Sequence, residues 1–189
     1  MTGRGTLILV VGPSGAGKDS IIAGAAERLR DNPKLVFARR VITRPPEAGG
    51  ENHLALSSAE FADWRNSGRF MLHWRAHGIE YGLPLCLAEA LEYGRSVIAN
   101  ISRTVVDEAR RRFPPAVVIA VTAPPDAVAA RLAARGRETA AEIERRLERA
   151  GATPHFDPDY MIDNDGPLNA AVGRFADVVR QSLTQPVSG

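Results

Sequence analysis

Seven consecutive residues, Gly12-Pro13-Ser14-Gly15-Ala16-Gly17-Lys18, bring together the groups needed to hold a polyphosphate. Glycines at these positions let successive backbone N–H groups turn inward on phosphate oxygens, and the closing lysine reaches the outer phosphates. The apolar run Thr6 to Val11 precedes the loop and a helical stretch from about Ser20 to Arg30 follows it, so a helix N-terminus adds partial positive charge. Gly12, Pro13, Ser14, Gly15, Ala16, Gly17, Lys18, Asp19 and Ser20 are therefore the expected ATP-binding residues, with Lys18 the catalytic cation on the β and γ oxygens. A Gly-rich turn without a ligand is the weaker reading, because the strand-loop-helix context is the one a phosphate loop requires. Asp19 stands where a magnesium-binding hydroxyl commonly follows the lysine. A carboxylate is a good ligand for a hard cation, so Asp19 is expected on Mg²⁺ or one water from it.

The remaining cations are almost all arginine: of 24 basic residues only Lys18 and Lys34 are lysines. Guanidinium forks fit phosphate oxygens, and the clusters near 39–44 and 131–149 are the candidates for that use. Many of the others read equally well as ordinary solvated charges. Arg131 and Arg135 are four apart, share a helix face and can present two guanidiniums to one polyphosphate; Arg137 and Arg146 could complete the ring. The competing reading is a solvated helix in which Glu138, Glu142, Glu144 and Glu148 pair with these arginines. A net charge of only +2 and no known module argue against a nucleic-acid partner. His53, His73 and His77 lack the spacing of a zinc site.

These groups need a scaffold that gathers them. At 189 residues the chain fits one compact domain, 1–189, and its 44% hydrophobic and 24% charged residues match a globular protein. No stretch approaches the roughly 18 apolar residues of a membrane span, nothing directs export, and a cytoplasmic setting is expected. The single Cys86, beside Leu85, Leu87 and Ala88, reads as a packed helix position in a reducing compartment. Strand-like runs alternate with helical stretches, which predicts an α/β fold around a mostly parallel sheet flanked by helices.

The strands are expected at Thr6 to Val11, Leu35 to Ala38, Phe70 to Trp74, Ser96 to Ala99, Ala116 to Thr122 and Met161 to Asp163. Arg39 to Asn52 reads as a loop and Tyr81-Gly82 as a turn. Ser57 with Glu60 makes a capping box for a short helix through about Ser67. Helices follow at Pro84 to Tyr93, Thr104 to Phe113, from Pro124-Pro125 to about Ala134, from a second box, Thr139 with Glu142, to about Ala150, and at Leu168 to Leu183, with a frayed tail from Thr184.

With the phosphate loop placed, several motifs resemble the guanylate kinase group of P-loop kinases. They are Val41-Ile42-Thr43-Arg44-Pro45 with Gly50-Glu51, Tyr81-Gly82, Arg131-Leu132-Ala133-Ala134-Arg135-Gly136 followed by Arg146, and Asp163-Asn164-Asp165. The resemblance implies a P-loop kinase fold with a substrate-binding insertion at about 39–83 and a mobile lid at about 131–149. It implies phosphate contacts from Arg44 and Tyr81, catalytic lid arginines at Arg135 and Arg146 with Arg131 on the nucleotide, and Asn164 near the adenine. The guanine readers of that group are replaced by His73, Leu83-Pro84 and Asn100, and His53 stands where a phosphate-binding Tyr belongs. Replacing polar readers removes base specificity.

Arg39 to Pro45, Gly49 to His53, Trp74 to Gly78, Asn100 to Arg103 and the Lys18-Asp19-Ser20 ending together are similar to the ribose 1,5-bisphosphate phosphokinases of phosphonate degradation. The implied reaction carries the γ-phosphoryl of ATP, with Mg²⁺, to the 1-phosphate of a small phosphorylated sugar. A phosphate acceptor is already anionic and needs no catalytic base. Arg40, Arg44, His53, His77, Tyr81, Asn100 and Arg103 are the expected substrate-binding residues. The lost carboxylate at Asn100 and the gained one at Asp19 raise the idea that a negative charge near the metal has moved. Two rivals stay open: a nucleoside monophosphate kinase of the same fold, and a non-catalytic binding module.

Overall fold

A computed structural model describes residues 3–45, 51–134 and 157–184. Five strands form one sheet in which every pairing is parallel: β1 (Leu7–Val11), β2 (Leu35–Phe37), β7 (Ser96–Asn100), β8 (Ala116–Thr122) and β9 (Tyr160–Asp163), in the order β2-β7-β1-β8-β9. All five residues of β1 are buried, as a central parallel strand with helices on both faces requires. Period-two alternation divides them. Leu7, Leu9 and Val11 join Val97, Ala99, Val118 and Ala120 under α3 (Cys86–Glu92) and α4 (Val106–Arg112). Ile8 and Val10 join Ile98, Ile119 and Val121 under α1 (Lys18–Arg28) and the closing helix α6 (Leu168–Thr184). Each such aliphatic side chain contributes about 1.5–3 kcal/mol when removed from water.

The region between β2 and α3 forms a second sheet that the sequence did not predict. Its order is β4 (Leu54–Ala55), β3 (Val41–Ile42), β6 (Ile79–Pro84) and β5 (Phe70–Ala76), with β3 lying inside the segment expected as loop. Met71, Leu72, Trp74 and Leu83 of this sheet belong to the same apolar cluster as the α3–α4 face of the parallel sheet. The helix α2 (Ser58–Asn66) begins with the predicted box: Ser57 Oγ accepts from the Glu60 N–H at 3.2 Å, and Glu60 Oε2 accepts from the Ser57 N–H at 2.8 Å. Those Ser57 bonds hold the Glu60 carboxyl below its ordinary value.

Tyr81-Gly82 is not a turn but mid-strand in β6. The turn is His77-Gly78, whose φ values of 52° and 76° give the left-handed pair favoured in two-residue hairpins. Gly82 has a different reason to be glycine: a Cβ there would lie 2.5 Å from Phe70 Cε1, so the ring crosses the strand only over a bare backbone. Cys86 also departs from expectation, being exposed on α3 rather than packed. The helix expected from Thr104 starts as a 3₁₀ turn, Arg103–Val105, before becoming α4. The helix α5 spans Pro125–Ala134. Among the described residues no helix is long and apolar enough to cross a membrane.

Candidate active site

Parallel strands deliver their C-terminal ends to one edge, and the candidate residues collect there. The segment after β1 turns through Gly12, Gly15 and Gly17 at φ 150°, 88° and 93°. A Cβ on Gly12 would meet the Val121 carbonyl oxygen at 2.1 Å, so only glycine fits between β1 and β8. Gly17 caps α1, which starts at Lys18, two residues before the sequence-based boundary. Pro13, Ser14 and Ala16 lie within the same turn, and Asp19 and Ser20 within the first turn of α1.

Lys18 Nζ donates to the carbonyls of Gly12 at 2.7 Å and Pro13 at 2.9 Å, folding over the loop it closes. Its ammonium is pushed down from 10.5 to about 8. Burial is the chief cause; the Asp19 carboxylate opposes it, the Arg40 and Arg103 guanidiniums add to it, and Glu51 opposes it more weakly. The charges that act on Lys18 thus come from the phosphate loop, the insertion and the turn that follows β7. Arg103 is half-buried, and that burial lowers its own pKa.

Asn100 is the last residue of β7 and lies beside Val10 in register, just before the phosphate loop. Its Nδ2 donates to Asp19 Oδ1 at 2.6 Å, and Arg40 Nη2 stands 4.0 Å from the same oxygen. On the far side, Asn164 follows β9, is buried, and donates from Nδ2 to the Ala16 carbonyl at 2.8 Å. Asn164 therefore braces the phosphate loop directly, a tie across 148 residues that the sequence could not disclose.

The insertion contributes a second group. Trp74 and Tyr81 are cross-strand partners on β5 and β6, and their rings stack with centroids 5.6 Å apart and planes at 5°. The Arg40 guanidinium covers the Tyr81 ring at 5.2 Å. Arg40 Nε donates to Glu51 Oε2 at 2.7 Å and Nη2 to Glu51 Oε1, a bidentate pair; Arg44 Nη2 lies 3.8 Å from that Oε1. The role of Glu51 emerges only in the structure; an acid among Arg39, Arg40 and Arg44 is the sequence signal that points to it.

His53, expected on the substrate, is enclosed by the insertion's own backbone. It is buried, and Nδ1 faces the Glu51 carbonyl and Nε2 the Arg44 carbonyl, each at 3.0 Å, so both ring nitrogens are turned to the backbone. His77 sits exposed at the β5–β6 turn. His73 is exposed on β5, whereas Leu83 is fully buried. Arg131 falls on α5; Arg135, Arg137, Arg146 and the box at Thr139 lie outside the described residues.

The family model of guanylate kinase matches residues 4–182. A ribose 1,5-bisphosphate phosphokinase PhnN of Acidiphilium cryptum is 48% identical, over 98% of this chain and 98% of its own length. The chain belongs to the guanylate kinase family, in its ribose 1,5-bisphosphate phosphokinase branch. The enzyme of that name from Rhodopseudomonas palustris is 43% identical, over 98% of this chain and 94% of its own. A bifunctional ribose 1,5-bisphosphokinase-thymidine phosphorylase of Cupriavidus pinatubonensis is 46% identical, but the chain spans only about a third (32%) of that longer relative. In fold, the chain is similar to the guanylate kinase of Anaplasma phagocytophilum, with TM-score 0.68 at 18% identity over 97% of this chain and 89% of that one. A sugar kinase from Janibacter sp. HTCC2649 gives 0.53 at 20%, over 95% and 97%. The mostly parallel α/β expectation holds.

Proposed function

We propose that this chain transfers the γ-phosphoryl group of ATP to the 1-phosphate of ribose 1,5-bisphosphate, giving 5-phosphoribosyl 1-diphosphate and ADP in the cytoplasmic breakdown of phosphonates. An acceptor phosphate oxygen forms a bond to the γ-phosphorus, the bond to the β,γ-bridging oxygen breaks, and ADP leaves. The relatives that run the whole length of the chain support the substrate. The observation that carries the reaction class is the line of contacts from the phosphate loop into the insertion: Arg40 Nη2 stands 4.0 Å from Asp19 Oδ1 and pairs with Glu51, which in turn lies 3.8 Å from Arg44 Nη2. It juxtaposes a donor grip and a cationic acceptor surface, which is what in-line transfer between two anions needs.

The amides from Gly12 to Gly17 cradle the donor phosphates, and Lys18 exchanges its loop carbonyls for β and γ oxygens. Asp19 suits Mg²⁺: it is a hard oxygen donor, its side chain is 41% exposed, and Asn100 holds one of its oxygens. Among the described residues no three His, Cys, Asp or Glu side chains converge, so Asp19 would share the ion with nucleotide phosphates and water. When bound, the ion supplies charge neutralisation on the phosphates. Arg44, Tyr81 and Arg103 meet the acceptor, while Arg40, His53 and Asn100 hold these groups in place. Arg131, Arg135 and Arg146 bridge donor and acceptor, within one domain whose lid covers about 131–149.

Purified protein incubated with ATP, Mg²⁺ and ribose 1,5-bisphosphate should yield 5-phosphoribosyl 1-diphosphate by mass spectrometry. ATP binding without any product would favour a binding module.

A further inference from the structure

Glu51 stands at the centre of the insertion's charges yet touches no group that reacts. Its side chain is 15% exposed, so its ion pairs are not ordinary surface ones. The two arginines it meets are held unequally. Arg40, 10% exposed, gives both Nε and Nη2 to the Glu51 carboxylate and sits over the Tyr81 ring, which leaves little of its fork for a ligand. Among the described residues Arg44 has one loose ion-pair contact, at 3.8 Å, and its buried Nε has no hydrogen-bond partner. Backbone geometry adds a second tie, since His53 sits between the carbonyls of Glu51 and Arg44, each 3.0 Å from one of its ring nitrogens.

We propose that Glu51 is a positioning residue for the acceptor phosphate: it locks Arg40 as a strut against Tyr81 and draws Arg44 into line, leaving Arg44's donors to grip the phosphate. This rests on the reading of the insertion as the acceptor site. A carboxylate is needed because two neighbouring guanidiniums repel, and among the described residues Glu51 is the anion that lies between them. Arg40 is the fixed member of the pair and Arg44 the working one.

The test is steady-state kinetics of E51Q and E51D with ribose 1,5-bisphosphate, beside calorimetric binding of inorganic phosphate to the ADP-bound protein. For E51Q the account expects acceptor KM to rise about tenfold or more, phosphate affinity to fall by a similar factor, and kcat and ATP KM to stay within about threefold. E51D, which keeps the charge on a shorter stem, should fall between E51Q and the parent. A purely structural Glu51 would lower the active fraction and leave both KM values alone. Acceptor KM and phosphate affinity equal to the parent's in E51Q, or in E51D should E51Q not fold, overturn the proposal. A parent that ignores ribose 1,5-bisphosphate would defeat the substrate reading, while the phosphate arm would still decide the role of Glu51.

Discussion

The side-chain amide of Asn100 donates to Asp19 Oδ1 at 2.6 Å, joining the end of β7 to the first turn of α1. The carboxylate that departs from the usual phosphate loop is thus steadied by a neutral amide where the guanylate kinase resemblance leads one to expect an acid. A partner that orients a metal ligand is commonly worth about 10–100-fold in metal affinity. Asn100→Ala should therefore raise the Mg²⁺ concentration for half-maximal activity about tenfold. If the charge has been relocated, Asp19→Ser and Asn100→Asp compensate, and the double variant responds to Mg²⁺ better than the sum of the single effects allows. Independent effects in that cycle would refute relocation.

Lys18 gives the site a pH signature. Its folded pKa, about 8, lies below the ordinary 10.5, so between these values the unfolded chain binds more protons and stability rises with pH. The penalty of burying the ammonium is fully present below pH 8 and is relieved as pH climbs towards 10.5. Unfolding free energies of the parent minus those of K18M should increase across that window. Polyphosphate raises the lysine's pKa again, so ATP binding at about pH 8.5 should take up roughly half a proton or more. Calorimetry in buffers of different ionisation enthalpy measures this, and K18M should abolish the uptake.

Gly82 makes room for Phe70, whose ring packs with Phe61 and Trp64. Gly82→Ala drives a methyl into Phe70, 2.5 Å from Cε1, and this overpacking should cost about 1–3 kcal/mol. Because Tyr81 is the adjacent residue, acceptor KM should rise with little change in ATP KM. Thermal unfolding and the two KM values check this together.

Asn164→Ala removes the buried bond to the Ala16 carbonyl. The loss should destabilise the protein by about 1–3 kcal/mol and loosen the phosphate loop. ADP and inorganic pyrophosphate should weaken by the same factor, because both lean on the loop; a Asn164 acting only on adenine would weaken ADP alone. Binding of the two ligands by calorimetry separates these outcomes.

Local chemistry was readable in the sequence and long-range chemistry was not. The phosphate loop declared itself because its glycines answer to backbone geometry within one turn, and β1 and β8 did so because buried parallel strands are apolar throughout. Tyr81-Gly82 misled because glycine ordinarily marks turns, whereas here it makes room for Phe70, twelve residues earlier and across the hairpin. The setting of His53 was hidden because nothing in the sequence tells that the Arg44 and Glu51 carbonyls close on its two nitrogens. The partner of Asp19 lies 81 residues away, and only the parallel register of β1 and β7 brings it near.

The most direct measurement is the ratio of kcat/KM for ribose 1,5-bisphosphate to that for GMP, with ATP and Mg²⁺, in one preparation. A site with a fully buried Leu83 and with Asn100 committed to Asp19 should favour the sugar bisphosphate by about a thousandfold or more. Equal or greater efficiency on GMP would contradict the account.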